Sequence, residues 1–339
     1  MTYWYPGVFA AIAMLRQSFP DIPILLGGVY ATLCEEHAKK NAGADYVLPG
    51  AGEKHLEFIV KDLMRQPLFF HPGSEDPSAL PFPAWELLNR PDQLPILTSR
   101  GCPCRCPYCA SRLLQPTFRR RKPHQVAAEI LHWHKSLGVV NFSFYDDALL
   151  IRPEEMAVPL LEEIIAGKMD LSFHCPNGLH LREITPAIAS LLYRAGFKTL
   201  RFGLETTDAA KQDKLGGKVS NDHFEQATAY LQEAGYKPED IAVYLLCGLP
   251  GQEAAEIRES ILYVRSRGAR PILAEYSPIP GTKLWDDACA VATYPLREDP
   301  IYQNNSLLPC AQPSLTPTAY HDLKQLSRRT NLPDARNFS

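Results

Sequence analysis

No apolar run in the 339-residue chain approaches the roughly 20 residues needed to cross a bilayer, so a membrane span is not expected. No secretory leader is legible either. The early stretch "VFAAIAMLRQSFP" is amphipathic and interrupted by Arg16, so it reads as a packed helix. The expected location is the cytoplasm. An excess of positive charge is also missing: Lys and Arg total 35 against 38 Asp and Glu, for a net charge of −3. That balance argues against nucleic acid or a membrane surface as partner. A disulfide framework is lacking as well, because nine cysteines are few for this length and are unevenly placed. Cys34, Cys175, Cys247, Cys289 and Cys310 are scattered and read as small core residues. The other four stand together, which in a reducing compartment means metal or redox chemistry.

What is present suffices for a large core. Apolar residues make up 45% of the chain, and the length suits two domains or one large α/β barrel. Residues 1–64 alternate helix and strand. "IPILLGG" and "DYVLPGAGE" are short apolar strands ending in glycine; "TLCEEHAKKNAGA" and "HLEFIVKDLM" have helical spacing. Residues 65–93 include a proline-, glycine- and acid-punctuated stretch that reads as a linker. Residues 94–281 then repeat strand and helix six times, with strands at "LPILT", "VVNFSFY", "LSFH", "TLRFGLE", "DIAVYLLCG" and "RPILAEYSP". Thr185-Pro186 and Ser220-Asn221 mark helix starts, and Gly138, Gly196, Gly235 and Gly268 mark helix ends. Six units in series predict a parallel sheet curled as a partial, TIM-like (β/α)6 barrel. Residues 282–339 form a proline-punctuated extension ending in a helix near "AYHDLKQLSRR".

In such sheets ligands bind beyond the carboxyl ends of the strands. The first strand runs into "TSRGCPCRCPYCASR", with Cys102, Cys104, Cys106 and Cys109 inside eight residues. A zinc site would normally need two Cys-x-x-Cys knuckles; only Cys106 and Cys109 make one, with His132 and His134 on the next helix as distant candidates. A redox dithiol would leave two cysteines idle. The third reading takes Cys102, Cys106 and Cys109 as ligands to three irons of a 4Fe–4S cluster, with the fourth iron open. "FRRRKPH" after the loop is a basic run that reads as a solvated loop or as a contact for an acidic group.

"GCPCRCPYC" resembles the Cys-x-x-x-Cys-x-x-Cys signature of the radical S-adenosylmethionine (radical SAM) superfamily, including the aromatic Tyr108. The resemblance implies a six-unit partial barrel, a 4Fe–4S cluster, S-adenosylmethionine on the open iron, and cleavage to a 5′-deoxyadenosyl radical. It further implies an electron donor such as flavodoxin or ferredoxin. Carried onto this sequence, it places Asp146 and Asp147 at the cofactor's ammonium group and Glu205 near the ribose or methionine, with Asn177 a further candidate. It places Gly248, Leu249 and Gly251 of "CGLPGQE" against adenine. An Arg201–Glu205 ion pair is the competing role for Glu205, since both side chains fall on one face of a regular strand. Cys104 departs from the family pattern and reads as a bystander, an alternative ligand or a resolving thiol.

"MTYWYPG", "GGVYATL" and "ADYVLPGAGE" resemble the latter half of a Rossmann-like cobalamin-binding domain. Its Asp-x-His-x-x-Gly motif is absent, and His37 and His55 sit in no such context. Two strands also leave a sheet edge open. The expectation is a truncated cobalamin-type segment, cobalamin bound weakly or not at all, and another chain or a dimer partner covering the edge. Methyl transfer is the implied reaction. A cobalamin-free oxidoreductase or lyase, and a non-catalytic zinc or iron–sulfur protein, are the alternatives.

Overall fold

The computed structural model describes residues 1–53, 59–61 and 76–329. The helix expected over "HLEFIVKDLM", His55 and the first part of the linker fall mostly outside them.

The chain opens with helix α1 (Tyr5–Ser18), strand β1 (Leu25–Leu26), helices α2 (Gly28–Leu33) and α3 (Glu35–Asn41), and strand β2 (Tyr46–Val47), which pairs parallel with β1. One helix was expected where α2 and α3 stand. The break falls at Cys34, whose backbone leaves the helical region. Glu35 and Glu36 then open α3, where acidic groups complement the amino end of a helix. Ile12, Leu26, Tyr30, Ala31 and Ala38 form a small core of their own.

The main sheet has six strands: β3 (Gln93–Ile96), then, after the short strands β4 (Ser99–Arg100) and β5 (Arg119–Arg120), β6 (Asn141–Phe144), β7 (Ser172–His174), β8 (Phe197–Glu205), β9 (Ile241–Cys247) and β10 (Arg270–Glu275). Their order, β10-β9-β8-β7-β6-β3, follows the sequence, and every pair is parallel. This α/β architecture around a parallel sheet is the one the sequence predicts. Helices connect the strands, among them Pro123–Leu137, Pro186–Arg194, Asn221–Glu233 and Ala254–Ser266. Phe144 and Phe173 stack on Phe197 at 5.4 and 5.2 Å, and Phe142, Phe202 and Phe224 are wholly buried. Each such ring contributes about 2–3 kcal/mol by leaving water.

The helix ends follow local chemistry. Thr185 caps with its hydroxyl on the Ile188 N–H, with Pro186 following. Ser220 closes a reciprocal capping box with His223. Asn221 is the first helical residue instead of a cap, and its side chain ties Thr207 and Gln212. Gly138, Gly196, Gly235 and Gly268 all have positive φ, as helix-ending turns require. Cys175, Cys247 and Cys310 are buried, in keeping with a packing role, while Cys34 and Cys289 are half-buried.

Candidate active site

The cysteine loop leaves β3 under tight control. Asp146, at the end of neighbouring β6, is buried and accepts hydrogen bonds from the Thr98 N–H at 3.0 Å and hydroxyl at 2.7 Å. It also accepts from the Ser99 N–H at 2.7 Å and hydroxyl at 2.6 Å. Burial raises the Asp146 pKa, against the pull of these bonds. The sequence reading placed Asp146 on a cofactor ammonium; the structure spends its carboxylate on the base of the loop. Residues Ser99–Arg100 and Arg119–Arg120 then pair antiparallel, closing the loop at its neck. Gly101 sits where the two limbs meet: a Cβ there would lie 3.1–3.2 Å from Gln115 and Thr117 oxygens, and its φ is +80°. The basic run is part of this neck. Arg120 pairs with Glu155, and Arg121 with the buried Glu129. His132 packs on Phe82 and Trp133, and His134 bonds the Val139 carbonyl, so neither serves the loop.

A cavity of about 370 Å³ opens against the loop. Cys102, Cys106 and Cys109 line it, and so do Tyr108, Asp147, Asn177 and Glu205. The structure thus brings together most of the residues singled out in the sequence. Burial raises the pKa of Cys106 and of Cys109, and the Cys109 sulfur accepts a bond from the Ser111 N–H at 3.4 Å. Asp147 accepts from the Ser111 hydroxyl at 2.5 Å. Asn177 donates to the Tyr145 carbonyl at 2.8 Å, which ties the turn after β7 to the end of β6.

Glu205 holds the far wall. The β8–β9 register slips between Gly203 and Glu205, and Glu205 takes a positive φ of +72°, rare for a residue with a side chain. Arg201, the competing partner, does not pair with Glu205 and instead donates to the Tyr244 hydroxyl at 2.9 Å. Glu205 Oε1 accepts from the Tyr108 hydroxyl at 2.8 Å and pairs with Lys218 at 2.6 Å. Burial would lower the Lys218 pKa, but the charges of Glu205 and Cys106 outweigh it and the net shift is upward. Burial, and then Glu205, drive Tyr108 well above its usual range. Gly203 leaves room for this triad, since a Cβ there would lie 2.6 Å from Glu205 Oε1.

Gly248, Leu249 and Gly251 are not brought to the cavity. Gln252 satisfies this turn internally, accepting from the Gly248 and Leu249 N–H groups and donating to Leu246. Leu249 is buried beside Leu215 and Tyr276. The fifth and sixth strands reach the cavity through Tyr244 and Ala274 instead. Lys218 and His180 were missed in the sequence reading. Gly216 and Gly217, both with positive φ, turn the chain beside Cys106 just before Lys218, and that glycine pair was the available signal. His180 Nε2 lies 3.5 Å from the Cys104 sulfur. Bonds from Cys102 and then His180 hold the Cys104 pKa down.

Residues 96–264 match the family described as the radical SAM superfamily, and the chain belongs to it. Enzymes of this family use a 4Fe–4S cluster and S-adenosylmethionine. Among relatives, the chain is 25% identical over 246 residues to the anaerobic magnesium-protoporphyrin IX monomethyl ester cyclase of Synechocystis sp., covering 64% of this chain and 49% of that one. It is 22% identical over 284 residues to the bacteriochlorophyllide d C-12(1)-methyltransferase of Chlorobaculum tepidum, covering 78% and 59%. The chain therefore spans roughly half to three fifths of these relatives' length. Its fold matches the radical S-adenosylmethionine methyltransferase TsrM from Kitasatospora setae, with a TM-score of 0.74 and 17% identity over 99% of this chain and 77% of that one. It also matches the cobalamin-dependent radical enzyme OxsB, with a TM-score of 0.65 and 13% identity over 81% and 44%. Among the described residues no helix is long and apolar enough to cross a membrane.

Proposed function

We propose that Cys102, Cys106 and Cys109 hold a 4Fe–4S cluster and that the adjoining cavity takes S-adenosylmethionine for a methyl-transfer reaction. One observation carries the reading: these three thiols line a single cavity that also holds Asp147, Glu205 and Lys218. The donor set suits iron, since thiolates are the usual protein ligands of such clusters and three leave one iron open. Held by Cys102, Cys106 and Cys109, a reduced cluster with S-adenosylmethionine would supply a 5′-deoxyadenosyl radical.

The chain's own residues bind and orient. Asp147 offers a carboxylate for the cofactor's ammonium. Glu205 receives both its bonds on Oε1, and among the described residues nothing bonds Oε2, which leaves it for ribose hydroxyls. Lys218 offers its charge to the cofactor carboxylate while remaining paired to Glu205. Asn177 keeps the third strand end in register beside them.

Kinship with methyltransferases supports methyl transfer. The division into a cobalamin-type segment (1–64), connection (65–93), catalytic unit (94–281) and extension (282–339) belongs to the same proposal, as does a flavodoxin or ferredoxin as electron donor. Cobalamin fits less well. His37 donates or accepts at the Tyr30 hydroxyl, 2.6 Å away, and packs edge-on against Tyr5, 4.8 Å away, so it is committed to the segment's own core. That commitment favours a cobalamin-free reaction, an oxidoreductase or lyase, as the second reading. Anaerobic reconstitution tests the proposal. About four irons per chain and 5′-deoxyadenosine on reduction are expected, both lost in C106A; an iron-free protein would sink it. Co-elution of stoichiometric hydroxocobalamin would decide for the corrin.

A further inference from the structure

Beside the cysteine loop lies a second donor set, two of whose three members the cluster does not use. Cys104 is the extra thiol of the signature, and His180 arrives from the segment after β7. The donor atoms of Cys102, Cys104 and His180 all lie within 4.8 Å of one another. Cys104 Sγ and His180 Nε2 stand 3.5 Å apart. A tetrahedral zinc ion, with bonds of about 2.3 Å to sulfur and about 2.05 Å to nitrogen, separates two such ligands by about 3.6 Å. The pair already has the edge length of a zinc tetrahedron. His180 Nδ1 is buried and has no partner among the described residues, so the ring makes its polar contact through Nε2 alone.

We propose that the cluster-free chain binds one zinc ion through Cys102, Cys104 and His180, with water in the fourth position. Zinc entry sends the thiol protons to solvent and moves no electron, so no reductant is required. Because Cys102 belongs to both donor sets, zinc and the iron–sulfur cluster exclude each other. Zinc must therefore leave before the cluster assembles.

The test uses the whole chain, purified anaerobically and stripped of metal with a chelator. Zinc binding is followed against a chromophoric competitor, and cobalt(II) serves as a spectroscopic probe of tetrahedral thiolate ligation. One equivalent of zinc is expected, with affinity falling at least tenfold in C104S and in H180A but not in C109S. Iron–sulfur reconstitution should show the opposite pattern: absorbance lost in C109S and retained in H180A. Preloaded zinc should also lower iron incorporation into the unmodified chain. Zinc affinity unchanged in H180A, or cobalt spectra without tetrahedral character in the unmodified chain, would overturn the proposal. Since C109S separates the two donor sets, neither result bears on whether Cys102, Cys106 and Cys109 hold the cluster.

Discussion

Asp146 does not line the cavity, yet it braces the cysteine loop. Replacing it with alanine strands two buried N–H groups and two hydroxyls at the neck of the loop. The expected cost is about 3 kcal/mol, read as a lower melting temperature, together with poor iron uptake on reconstitution. D146N should recover part of both, because its amide oxygen still accepts. Glu205 permits a sharper comparison. Its backbone sits at φ +72°, where glycine is comfortable and alanine is not. E205G should therefore be more stable than E205A by about 1 kcal/mol, while both bind S-adenosylmethionine at least tenfold more weakly. Equal stabilities would remove backbone strain from the account of this wall. Among the residues lining the cavity, the cysteines, Asp147, Asn177 and Glu205 could be read from the sequence because strand ends announce them, and Tyr108 because of the signature it sits in. Lys218 and His180 lie on connections whose paths are set by distant packing, and only the glycine pair before Lys218 offered a signal. Asp146 was misread for a related reason: two adjacent carboxylates at a strand end look alike until one is seen to turn inward.

Among the elements, the turn that ends the helix Pro186–Arg194 is the most constrained. A Cβ on Gly196 would lie 2.4 Å from the Leu171 carbonyl oxygen, with φ at +93°. Backbone cannot step aside as a side chain can, so G196A should cost about 3 kcal/mol or more in denaturant unfolding. At Gly268 the obstacle is the Gln232 amide, a flexible side chain, and G268A should cost about 1 kcal/mol. The helix Pro317–Arg328 is fastened to β10 through Glu275, which Tyr320 and Lys324 both bond. Burial pushes Glu275 up, but these bonds outweigh it and leave its pKa below the ordinary 4.5. Its contribution is thus full above the unfolded-state value and is lost as pH falls through the lower folded value. E275Q should be less stable near neutrality by about 1 kcal/mol and lose less on acidification, measured by thermal unfolding across pH. Strand and helix periodicity made all six main strands and the capped helices legible. The short strands at the loop neck escaped because their pairing joins residues about 20 apart, and the break at Cys34 escaped because nothing in its helical spacing announces it.

Across the whole molecule, the amino-terminal segment touches both margins of the six-stranded sheet. On one side Glu53 pairs with Arg100, just beyond β3. On the other, Tyr3 bonds Asn305 and Tyr5 bonds Asp299. The chain near these residues is bonded in turn by Ser277, just beyond β10, through the Gln303 carbonyl. The segment thus bonds the chain just beyond one edge strand and, through the carboxyl-terminal extension, near the other. If these contacts couple the two edges, filling the thiol loop slows protease cleavage in the first 50 residues, and Y5F quickens the loss of iron from the reconstituted chain.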